Sequence, residues 1–287
     1  MNIFIITSQH PGFPDFSVLA DPPEQLYCMG DVSLLKNNCI AIVGTRRMTR
    51  YGRDATMKLA ADCVRNGFTV VSGMARGVDT VAHETALKNA GKTIAVLGAG
   101  FNNIFPAENA GLFDRICEKG LAITEYPPDM PPLKHQFPAR NRIIAALSLG
   151  VLVTEAGDKS GALITAYDAL DQGREVFAVP GSIFSAESDG TNRLIRAGHA
   201  HFCADGADIF RALGKDYIKN EPITSIQLDI EQEKVLNILT TSGPLHINDL
   251  IQLTGLDLQR INSLLFTMEL ACVVEKLPGN CYKAAAR

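Results

Sequence analysis

Short runs of aliphatic residues, each closed by a glycine-containing turn and followed by a helical pattern, constrain this chain more than any other feature. Strands are expected near 40–43, 69–72, 93–97, 121–124, 150–154, 175–179 and 199–203, and helices near 51–66, 79–89, 109–118, 140–147, 161–172 and 190–196. Strand and helix alternating over short connections make an α/β fold. The runs are continuous Val/Ile/Leu/Ala rather than alternating, which is how strands buried on both faces of a mostly parallel sheet read. In such a sheet the carboxyl ends of the strands share one edge, and ligands bind there.

The turns at that edge are basic or glycine-rich. IAIVGTRRMTRYGR (40–53) runs from a strand through Gly44 and Thr45 into Arg46, Arg47, Arg50 and Arg53 at the mouth of a helix, with no acid among them. The N–H groups and macrodipole of a helix start favour an anion, and arginine adds charged, bidentate donors. FTVVSGMARGVDTVAHETAL (68–87) repeats the pattern with Ser72 and Gly73, and Asp79 is expected to cap its helix. LKHQFPARNRIIAALS (133–148) sets Lys134, Arg140, Asn141 and Arg142 around Phe137. GVLVTEAGDKSGALITAYDAL (150–170) brings Lys159, Ser160 and Gly161, whose backbone and hydroxyl donors suit phosphate without sequence preference. Several phosphate-type turns are thus expected along one groove.

Composition narrows the chemistry. With 287 residues there is room for one domain of about 200 and a small satellite. A net charge of −4 argues against a diffusely basic nucleic-acid coat, so any such site is a local patch. The seven cysteines form no CxxC, and no signal-like or long apolar segment is present, so a reduced, cytoplasmic setting away from membranes is expected. His199, His201 and Cys203 alternate along an expected strand but lack a fourth ligand, and no metal is expected. AGKT (90–93) ends like a phosphate-binding loop, yet Ala86 stands where its first glycine belongs, and no GxGxxG follows the first strand. No ATP, NAD or other cofactor is implied.

Residues 1–35, with HPGFP and DPPEQLYCMGD, read as an irregular lead-in to a core over 36–213. Residues 214–228 (GKDYIKNEPITSIQL) read as a linker. Beyond it, 229–287 has helical spacing at Val235, Leu236 and Leu239, a turn at Gly255, a further helix and a hairpin around Pro278, Gly279 and Asn280. That order describes a winged helix. Its last helix offers Arg260 against Asp257 and Glu269, which favours a protein-contact or DNA-accessory role over reading of duplex by that helix.

GTRRMTRYG, SGMARGVDTVAH, AVLGAG, FPARNRIIA, EAGDKSGALITA, GREVFAVPG and SDGTNRLIRAGH, in that order over residues 20–213, resemble the DprA/Smf family, the DNA-processing proteins of bacterial transformation. The resemblance implies an extended Rossmann-like domain that binds single-stranded DNA without known catalysis. It also implies a homodimer that protects the incoming strand and helps load the RecA recombinase. In the family a segment like 1–35 leads into the core, and the longer helical domain that many members carry ahead of it is not expected here. The family's phosphate-binding arginine maps to Arg46, and the lysine and aromatic of its strand-contacting loop map to Lys134 and Phe137. Many relatives have a basic residue where this chain has Ala139.

Each assignment has a plainer counterpart. Phe137 either stacks a base or anchors the loop, and Arg47 either joins Arg46 or faces away. Of Arg140 and Arg142, one is expected in the groove and the other in a structural pair. Glu155 and Asp158 are the acids at this edge that suggest catalysis. Rossmann-like nucleotide hydrolases of the cytokinin phosphoribohydrolase type carry PGGxGTxxE there, whereas this chain reads TEAGDKSGALITA, so no catalytic residue is expected. A transcription regulator that reads duplex through the winged helix is the remaining rival.

Overall fold

The computed structural model describes residues 2–218, 228–270 and 273–285. The chain divides into two compact units, 1–219 and 220–287. Most of the linker expected over 214–228 lies outside the described residues.

The first unit is built on β1 (Phe4–Thr7), β2 (Gln25–Gly30), β3 (Cys39–Val43), β4 (Thr69–Ser72), β5 (Thr93–Val96), β6 (Leu121–Thr124), β7 (Gly150–Val153), β8 (Glu175–Ala178) and β9 (His201–Phe202). They form one sheet in the order β1-β2-β6-β5-β4-β3-β7-β8-β9. From β6 to β9 every pairing is parallel, while β1 on β2 and β2 on β6 are antiparallel. Helices α1 (Arg50–Arg65), α2 (Val78–Lys88), α3 (Ala110–Lys119), α4 (Gln136–Ala146), α5 (Ala162–Asp171), α6 (Asp189–Arg196) and α7 (Gly206–Ala212) connect them. The chain runs outward from β3 through β4, β5 and β6, then returns to place β7 on the other side of β3. The order therefore reverses at β3 and β7, and a crevice opens above such a switch point.

The continuous aliphatic runs are explained by two buried faces. On β3, Ile40 and Ile42 pack under α1 and α2 with Leu59, Cys63 and Val78, while Cys39, Ala41 and Val43 pack with Ile143 and Leu163 of α4 and α5. β7 repeats this, with Leu152 on the first face and Val151 and Val153 on the second.

The lead-in differs from the sequence expectation. Residues 4–7 and 25–30 are strands, and β2 pairs Tyr27 with Thr124 of β6. QLYCMG buries Leu26 and Cys28 on alternate positions, a signal masked by the prolines around it. The strand expected over 199–203 shrinks to His201 and Phe202. Its three metal-like residues diverge: His201 Nε2 lies 2.7 Å from Glu175 Oε2, His199 meets the Tyr167 ring, and Cys203 is buried with its thiol toward the Asp205 carbonyl. The helix expected from residue 140 starts at Gln136, because Pro138 falls in the first turn, where no N–H is needed.

The second unit contains α8 (Ile230–Ser242), β10 (Leu245–His246), α9 (Ile247–Thr254), α10 (Leu258–Leu270), β11 (Val274–Leu277) and β12 (Cys281–Ala284). Asp229 and Gln232 close a capping box at the start of α8, an arrangement that contributes about 1 kcal/mol. Val235, Leu239, Leu250, Ile261, Leu265 and Tyr282 form its core under the β10-β12-β11 sheet, and the whole is a winged helix. Among the described residues no helix is long and apolar enough to cross a membrane.

Candidate nucleic-acid interface

A cleft of about 860 Å³ lies along the carboxyl edge of the sheet, over the β3–β7 switch point. Gly44, Thr45, Arg46 and Arg47 line it from the β3–α1 loop, Phe105 from the β5–α3 connection, and Lys134, Phe137, Arg140 and Asn141 from the segment entering α4. Lys159, Ser160 and Gly161 of the β7–α5 turn close the opposite wall.

The β3–α1 loop is fixed by its neighbours. Thr45 N–H donates to the Glu155 carbonyl at 2.7 Å, its own carbonyl accepts Val78 N–H at 3.3 Å, and its hydroxyl accepts Arg47 N–H at 3.1 Å. Gly77, at φ 78°, lets α2 start directly beneath, where a Cβ would sit 2.3 Å from the Thr45 carbonyl oxygen. With Thr45 held, Arg46 and Arg47 extend into solvent. The Arg46 guanidinium lies 5.7 Å from the centroid of Phe137, and Phe137 meets Phe105 at 5.5 Å between centroids. Phe105 escaped the sequence reading because the β5–α3 connection, although it opens on the Gly98 and Gly100 turn, carries no basic residue to mark it as a phosphate loop; its signal was the aromatic before Pro106.

Glu155 is a brace. It is buried, and its carboxylate accepts Thr49 N–H at 2.7 Å and the Thr49 hydroxyl, while Thr49 in turn caps α1 by accepting Gly52 N–H at 3.1 Å. Asp158 pairs with Arg193 at 2.9 Å. Glu155 is thus committed to Thr49, while Asp158 lines the cleft beside Arg193.

Three expected contacts turn inward. Ser72 is fully buried and its hydroxyl donates to the Ile42 carbonyl at 2.6 Å, so it has no donor for a ligand. Gly73 N–H donates to Asp79 Oδ2 at 3.1 Å, and its missing side chain makes room for the Arg140 guanidinium. Arg142 meets Glu125 at 2.6 Å on the far side of α4. Asp79 also departs from expectation. It lies inside α2 rather than at its cap, and holds the preceding loop through Gly73 and Ala75 N–H.

Arg140 borders the floor of the cleft but is only 4% exposed, and its guanidinium donates to the Gly73 carbonyl at 2.6 Å and to the Val96 carbonyl. Burial pulls its pKa down to about 10 against the nearby Asp79, whose own carboxyl is pushed up by burial. Both basic residues of the RNR triplet are therefore structural. Asn141 bridges toward the Gly161 carbonyl at 3.5 Å, and the Ser160 hydroxyl accepts Ala162 N–H at 3.3 Å.

Four cations remain. Arg46, Arg47, Lys134 and Lys159 are exposed around the cleft and form no ion pair among the described residues.

A family model described as DNA recombination-mediator protein A matches residues 4–214, and one described as DprA winged helix domain matches 220–280. The chain belongs to the DprA family. The first match takes in β1 and β2, so the lead-in falls within the family domain. DNA processing protein DprA of Bacillus subtilis is 46% identical over 194 residues, 67% of this chain and 65% of that protein. The chain thus spans less than two-thirds of that relative's length. Protein Smf of Escherichia coli is 36% identical over 274 residues, 93% of this chain and 73% of its own. The crystal structure of DprA from Streptococcus pneumoniae superposes at a TM-score of 0.70 with 42% identity, covering 73% of this chain and 74% of that one. The Helicobacter pylori DprA, described for its single-stranded DNA binding mode, superposes at 0.68 with 37% identity over 75% of this chain and 97% of its own. The DprA-family core here is therefore the nine-stranded unit that carries the cleft.

Proposed function

We propose that the cleft binds single-stranded DNA. Arg46, Arg47, Lys134 and Lys159 hold phosphates, Phe137 takes a base, and the hydroxyls of Thr45 and Ser160, the Asn141 amide and the backbone of Gly44 and Gly161 add donors and acceptors. The observation that carries this reading is the Arg46–Phe137–Phe105 stack beside unpaired cations. Base stacking tolerates any sequence, and charged grooves that track a backbone do the same. Glu155 is spent on Thr49 and supports the reading as a binding protein rather than a hydrolase. Arg260 is held by Glu231 at 2.6 Å, which supports an accessory role for the winged helix rather than duplex reading.

On this reading the protein works in the cytoplasm during natural transformation. It protects incoming strands and helps load RecA, and as a homodimer it engages one strand with two clefts, raising affinity through effective concentration. Fluorescence anisotropy with labelled oligo-dT and its duplex, at two salt concentrations, tests the core of it. Tight, salt-sensitive, strand-selective binding is expected; equal binding of duplex, or none of the single strand, refutes the reading.

A further inference from the structure

The turn after β8 is built like a fixed arm with an apolar tip. Phe184 is 94% exposed and Ile183 80%, which makes Phe184 the most exposed large apolar side chain among the described residues. An unstructured loop would explain such exposure, but this turn is held at both ends. The Asn192 amide grips Gly181 through both its N–H and its carbonyl at 3.1 Å, and Ser185 N–H closes the turn on the Ser182 carbonyl at 3.1 Å. Phe184 N–H donates to the Ser182 hydroxyl at 3.2 Å. The Tyr51 hydroxyl of α1 donates to the Pro180 carbonyl at 2.6 Å, which ties the arm to the helix that follows the arginine loop.

Its position matters as much as its stiffness. Ala186 and Glu187, two and three residues beyond Phe184, line the cleft on the β8 side, whereas Phe105 and Phe137 line it from β5 and α4. We propose that Phe184 is a second base-stacking platform, at the opposite end of the cleft from Phe137, for the strand that the cleft holds. The inference rests on the single-strand reading above. The local charge decides which part of a strand this end takes. Arg193 of α6 is taken up by Asp158, so Glu187 on the rim and the exposed Asp189 are left to repel phosphate, while an aromatic ring accepts the face of any base. Phosphates are then gripped in the middle, by Arg46, Arg47 and Lys159, and bases at the two ends.

The test uses the full chain, oligo-dT of increasing length, and oligonucleotides carrying one 2-aminopurine at successive positions. Phe184→Ala is expected to weaken binding of oligonucleotides long enough to reach both ends by about 5- to 150-fold, and to leave the shortest bound ones unaffected. The 2-aminopurine signal should disappear at one position while that assigned to Phe137 remains. The salt slope should not change, because no charge is removed. Phe184→Tyr should bind as the parent and Phe184→Leu should not. Unchanged affinity of Phe184→Ala at every length overturns the proposal. So does a change in sedimentation with affinity per protomer intact, since the tip then contacts another copy of the chain. If the parent binds no single strand at all, the reading of the cleft fails and this inference falls with it; if the parent binds and only Phe184 is silent, the cleft stands without a second platform.

Discussion

Arg46 and Arg140 carry the same guanidinium into opposite surroundings, one in solvent above an aromatic ring and one beneath the sheet edge. Arg46→Ala should therefore weaken single-strand binding by about 1–3 kcal/mol, lower the log–log salt slope by about 0.7, and leave the melting temperature unchanged. Arg140→Met should do the reverse. It strands two main-chain carbonyls and leaves Asp79 buried without its cation, at a cost of about 3–5 kcal/mol in denaturant unfolding. A stable Arg140→Met chain with weakened binding would return Arg140 to the ligand. Residue type at the cleft was legible in the sequence, but accessibility was not. Starting α4 at residue 140 left the facing of Arg140 undefined. From Gln136 the buried positions 136, 140, 143 and 144 form one helical stripe, and Arg140 lies on it. Ser72 was misread because a strand-end serine next to glycine looks the same whether its hydroxyl meets phosphate or a neighbouring carbonyl.

At the level of elements, the buried aliphatic strands and the helices between them were legible because each has a strong period and a glycine or polar stop. β2 was not, since its apolar residues alternate weakly among prolines, and antiparallel pairing with a strand about ninety residues away leaves no local trace. The contact between α2 and β5 shows another element-level feature invisible in sequence. His83 is fully buried with Nδ1 2.7 Å from Thr93 Oγ1, and burial, with Arg140 nearby, pulls its pKa down to about 3. The unfolded chain takes up this proton near pH 6.5 and the folded one only near pH 3. Stability is thus fully present above pH 6.5 and declines as pH falls through that window, by about 1.4 kcal/mol per pH unit from this residue. Denaturant melts at pH 4–7 should show a shallower pH slope for His83→Asn than for the parent; equal slopes would place the effect elsewhere.

On the scale of the molecule, a net charge of −4 argues against a diffuse basic coat, and the cations proposed to hold the strand all lie around one cleft of the first unit. Residues 1–219 alone should therefore keep the single-strand affinity per protomer within about threefold, and Arg260→Ala in the full chain should leave duplex affinity unchanged. Loss of single-strand binding on truncation would move the site into the winged helix. The charged, Pro-containing stretch between two patterned regions marks where a linker is expected, whereas the joining of the first thirty residues to the sheet left no such mark. That joining bears on how the protein is made. β1 and β2 leave the ribosome well before β6, which pairs with β2 and follows only after about ninety more residues, roughly 5–20 s later at ordinary synthesis rates. A two-stranded hairpin is marginal by itself. A hairpin made well ahead of its partner strand is thus among the last parts of this unit to be seated, and until then both it and the open side of β6 are exposed to proteases, chaperones and stray strands.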